Sequence, residues 1–85
     1  MELTHLHREI LQAIGFSGAS WSQLKGVGMG REFDDLRHAG LIVYWPQGEP
    51  RPLAAVATDG YAGYWYLTIE GASAAGLELP PLRLS

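Results

Sequence analysis

In "LTHLHREILQAIGF", residues 3–16, apolar groups fall at Leu3, Leu6, Ile10, Ala13 and Ile14, with polar and charged residues between them. This three-and-four spacing marks one face of an amphipathic helix. Thr4 is placed to cap its start, and Gly15 followed by "SGAS" marks its end. In "SWSQLK", Ser20 and Gln23 stand three apart as a capping box, so a second helix starts near Trp21. It is cut short by glycines at 26, 28 and 30, each of which costs a helix interior about 1 kcal/mol relative to alanine. A third helix is predicted from Arg31 to Ala39, with Met29, Phe33, Leu36 and Ala39 or Gly40 on its buried side. Gly40 follows it, where a left-handed residue ends the helix.

Periodicity then changes. "LIVYW", Leu41 to Trp45, is β-branched and aromatic and reads as a strand, and "PQGEPRP" ends it because prolines cannot serve a central ladder. "LAAVA" is a further strand candidate, "TDGYAG" a turn, and "YWYLT" from Tyr64 to Thr68 a strand antiparallel to the first. "TIEGASAAGL" supplies a short helix with Thr68 as cap, Glu70 in its first turn and Gly76 as its stop. Residues 1–77 thus form the domain, and residues 78–85, with Pro80-Pro81, an extended tail. The expected core is Leu6, Ile10, Ile14, Leu24, Phe33, Leu36, Leu41, Val43, Trp65 and Leu67.

Composition narrows the class. A chain of 85 residues with 47% hydrophobic and 18% charged residues is too apolar to be disordered, and it has no apolar run near the ~20 residues that span a bilayer. Without cysteine there is neither a disulfide framework nor a thiolate zinc site, and the start of the chain lacks a signal-peptide pattern, so a cytoplasmic location is expected. The net charge of -3 gives no general attraction to nucleic acid or anionic lipid, so any polyanion must be met by a local patch.

Two stretches carry a family resemblance. "DDLRHAGLIVYW" resembles the third helix of winged helix-turn-helix domains, ending in alanine-glycine-leucine and entering the first wing strand. "YWYLTIEGASAAGL" resembles the second wing strand, closing on leucine-threonine, an acid and glycine, as in many bacterial transcriptional regulators. The resemblance covers roughly residues 3–77. It implies a small α+β domain: a three-helix core, a two- or three-stranded antiparallel wing sheet and a short C-terminal helix or turn. It further implies that Arg31 to His38 enters the major groove of DNA and that a wing tip between Pro46 and Gly63 touches the backbone or minor groove. The chain departs from the family in its short second helix, its glycine-rich turn and the acids Glu32, Asp34 and Asp35 on the reading helix.

Two functions follow. For binding of double-stranded DNA, the surface comprises Ser22 and Lys25 on the second helix, Arg31 and His38 on the third and Arg51 on the wing. So few cations make a weak electrostatic binder that needs a homodimer or another partner. On a helical wheel Arg31, Asp35 and His38 point outward, and Arg31 and Asp35 are close enough to pair. The alternative is protein–protein association: strand alternation sets Tyr64 and Tyr66 on the face opposite Trp65 and Leu67, and Tyr44 beside them completes an exposed aromatic interface. Those tyrosines also serve as cross-strand pairs that steady the sheet.

Other chemistry is thin. His5 and His7 are two apart on a helix and cannot chelate one ion together, so both read as solvated and no metal is expected. The glycines at 26, 28 and 30 lack the lysine-serine or lysine-threonine pair of a phosphate loop. Ser17, Ser20, Ser22 and Ser73 have no adjacent histidine. Neither an enzyme nor a cofactor is expected.

Overall fold

The computed structural model describes residues 2–28, 30–57 and 60–77. Its elements are α1 (His5–Ile14), β1 (Ala19–Ser20), α2 (Trp21–Val27), α3 (Arg31–His38), β2 (Ile42–Tyr44), β3 (Tyr64–Leu67) and α4 (Ile69–Ala74). Among the described residues the architecture is a small α+β fold of four helices and one open antiparallel sheet, ordered β1-β3-β2. The tail at 78–85, Met29, and Thr58 and Asp59 of the expected turn lie outside the described residues.

Local chemistry accounts for the element ends. Thr4 and Ser20 each accept the backbone N–H three residues on, and His7 and Gln23 reach back to the cap, so both helices start with a complete capping box. Thr68 caps α4 through Gly71 and also donates its hydroxyl to the Gly40 carbonyl at 2.8 Å, tying the α3–β2 corner to the last helix. The α3 end is a Schellman turn: Leu41 N–H reaches the Leu36 carbonyl and Gly40 N–H the Arg37 carbonyl, with Gly40 at φ 76°. α2 continues through Gly26 to Val27 before it stops.

The register sets the two faces of the sheet. Ile42 lies opposite Leu67, Val43 opposite Tyr66, and Tyr44 and Ala19 both opposite Trp65. Ile42, Ala19, Trp65 and Leu67 therefore share the face that packs on the helices, where they meet Ile10, Leu11, Ile14, Leu24, Phe33, Leu36 and Ala72. The Phe33 ring stands edge-on to Trp65 with centroids 4.8 Å apart. Leu6 and Leu41 are half-buried against this core. Val43 is half-buried on the opposite face of the sheet, because the strand is centred one residue away from the expected pattern and Ile42 takes the inward place. Ala13, Ala39 and Gly40 were expected on buried sides and are exposed; His7 and Leu11 complete the inner stripe of α1 instead.

The other face of the sheet is closed by the long connection between β2 and β3. Instead of projecting as a wing, its described residues, 46–57 and 60–63, fold back: Val56 N–H bonds to the Leu67 carbonyl and Ala55 bridges to Thr68. "LAAVA" is thus an isolated bridge, not a strand. Beneath the connection Tyr66 is 1% exposed, its hydroxyl accepting the Tyr61 N–H at 2.7 Å and donating to the Tyr61 carbonyl at 3.1 Å. Gly18 and Gly60, at φ 83° and 154°, come so close to this ring that a methyl on either would strike it.

Candidate nucleic-acid interface

The α3 helix turns Phe33 and Leu36 into the core, which leaves Arg31, Asp34 and His38 along its exposed ridge. Arg37, also exposed, pairs with Asp34 at 3.3 Å. Such a pair between half-exposed side chains contributes about 0–1 kcal/mol, so it matters more for neutralising Asp34 than for stability. Arg31 forms no ion pair among the described residues, and the expected Arg31–Asp35 pair is absent. Asp35 turns to α1 instead, where its Oδ2 lies 3.2 Å from His7 Nε2.

His7 is the residue that sequence reasoning misplaced. Its side chain is 5% exposed, not solvated, because His7 stands three residues before Ile10 and four before Leu11 on the inner stripe of α1. The Thr4 backbone N–H donates to Nδ1 at 2.8 Å, and the Thr4 hydroxyl lies 3.1 Å from the same nitrogen. A ring nitrogen that accepts an N–H carries no proton, which assigns the neutral ring's proton to Nε2 and makes Nε2–H the donor to Asp35. The signal was present in "THLH": threonine and histidine hold the spacing of a capping box, with histidine in the place usual for Glu or Gln.

The remaining expected residues divide. Ser22 and Lys25 are exposed on α2, Lys25 in the last turn where a cation suits the helix dipole. Arg51 is half-buried, and its Nη1 donates to the carbonyls of Ala57, Ala55 and Pro52 at 3.0, 3.4 and 3.5 Å. It braces the connection and does not extend from a wing tip. Ser22, Lys25, Arg31 and His38 are thus at the surface on α2 and α3, and Arg51 belongs to another part of the fold.

The expected aromatic interface does not form as one patch. Tyr66 is buried, Tyr44 lies on the Trp65 face with ring centroids 4.9 Å apart, and Tyr64 is half-buried beside Tyr61. Alternation assigned the faces of β3 correctly, but the returning connection covers what would otherwise be the solvent side. Among the described residues the exposed aromatics are Phe16 and Tyr44, each at 37%, Trp21 at 51% and Tyr61 at 73%, so Tyr44 alone of the three expected interface tyrosines is exposed.

No helix among the described residues is long and apolar enough to cross a membrane. No protein-family model matches the chain, and no curated protein or solved structure does so either.

Proposed function

We propose that the chain is a winged-helix module that binds duplex DNA through α3, with α2 alongside. The order α1-β1-α2-α3-β2-β3, with β3 between the other two strands, supports the winged-helix reading. The exposed Arg31 carries the DNA reading, on a helix where Glu32, Asp34 and Asp35 outnumber Arg31 and Arg37. Asp34 and Asp35 face Arg37 and His7, while Arg31 stays exposed and unpaired among the described residues, ready for a phosphate or a guanine edge. With Arg51 engaged by its own loop, Lys25 and Arg31 are the main contacts. Two phosphate contacts give a log affinity against log salt slope of about -2, which is weak binding that a dimer or partner must reinforce. Fluorescence anisotropy of a labelled mixed-sequence duplex at low salt tests this. Wild type should bind with that slope and Arg31→Ala should bind several-fold more weakly; equal binding by both rejects the reading.

A second reading, protein association, draws on Trp21, half-exposed at the start of α2, and on Tyr61, exposed beside Tyr64 with ring centroids 6.0 Å apart. In that case a Trp21→Ser, Tyr61→Ser protein keeps its fold and loses self-association in sedimentation. A wild type that stays monomeric at every concentration removes the homodimer form of this reading.

A further inference from the structure

We infer that His7 is a positioning residue for the α3 surface: it holds the Asp35 carboxylate on α1 and so keeps it off Arg31. The functional consequence rests on the DNA reading above, but the arrangement itself does not. Arg31 and Asp35 are four apart on one helix, a spacing at which an acid and a base are neighbours, with the base first, the weaker of the two orders. They do not pair, because Asp35 has a competing donor in His7 Nε2–H at 3.2 Å. That donor is fixed from behind. Nδ1 accepts from the Thr4 backbone N–H at 2.8 Å, so the ring proton stays on the nitrogen that faces Asp35. The ring is 5% exposed and packed among the core residues of α1, whereas Asp35 is 41% exposed and has room to turn. One side chain thus closes the start of α1 and selects the partner of an acid on α3, leaving the Arg31 guanidinium to solvent or ligand.

A substitution at His7 separates these two roles. His7→Leu suits the inner stripe of α1 and leaves the Thr4 hydroxyl accepting the backbone N–H of residue 7, but it has no donor for Asp35. Nitrogen NMR of the wild-type ring should place the proton on Nε2 and none on Nδ1. In His7→Leu, folded by circular dichroism, the Arg31 Nε–H signal should shift and exchange more slowly as Asp35 pairs with it, and adding Asp35→Asn should reverse the change. With the labelled duplex, His7→Leu should bind about twofold more weakly than wild type, the effect expected from one helix-surface ion pair of about 0.2–0.5 kcal/mol. His7→Leu with Asp35→Asn should bind at least as well as wild type. An Arg31 signal unchanged by His7→Leu, or changed equally with and without Asp35, overturns the inference. A wild type that binds no duplex overturns the DNA reading alone, and the Arg31 signal then decides the positioning role by itself.

Discussion

The two faces of the sheet are closed by unlike means. Toward the helices, Ile42, Trp65 and Leu67 meet apolar side chains from α1 and α3, so closure there is a matter of volume and area. On the far side Tyr66 is closed over by backbone: Gly18 and Gly60 against the ring, and the Tyr61 peptide groups on its hydroxyl. Arg51 then holds the covering connection in shape through three carbonyls. The first kind of closure is cooperative and dominates global stability. The second is local, and its loss should open the connection before the body unfolds.

Substitutions should separate the two. Phe33→Ala, which empties the space beside Trp65, should cost about 3–5 kcal/mol, enough to unfold a domain of ordinary stability. Thermal denaturation should find most of that protein unfolded near room temperature; an unchanged melting temperature contradicts the edge-on packing of Phe33 on Trp65. Tyr66→Phe leaves the Tyr61 N–H and carbonyl without their partner, an effect of about 1–3 kcal/mol. Hydrogen exchange should quicken at Tyr61 and Val56 while amides of α1 keep their protection. Arg51→Met should act in the same region with about 1 kcal/mol or less, since two of its three bonds are long. Loss of protection in α1 from either variant would mean that the two faces are one cooperative unit.

What could be read from the chain follows the same division. Periodicity marked Ile10, Ile14, Phe33 and Leu36 because a helix buries a fixed stripe, and all four are in the core. Caps and stops at Thr4, Ser20, Gly40 and Thr68 were legible because each satisfies backbone groups within a few residues. Alternation assigned Trp65 and Leu67 inward, yet it says nothing of what covers the opposite face. Burial of Tyr66 and the bracing role of Arg51 depend on a connection without periodicity that folds back over the sheet. The α3 surface was only half legible: Arg31 and His38 were placed outward correctly, while the partner of Asp35 comes from α1, 28 residues away. Contacts of that separation are set by packing between helices, which no local spacing encodes.

The central claim is that α3 and α2, not the covered sheet face or the connection, form the contact surface. Amide and side-chain shift mapping, with a mixed-sequence duplex added at low salt, tests it most directly. The account predicts perturbations concentrated at Ser22, Lys25, Arg31 and His38, with Arg51, Tyr66 and the connection unmoved. Perturbations centred on Tyr61, Arg51 and the connection, or none at saturating duplex, would contradict it.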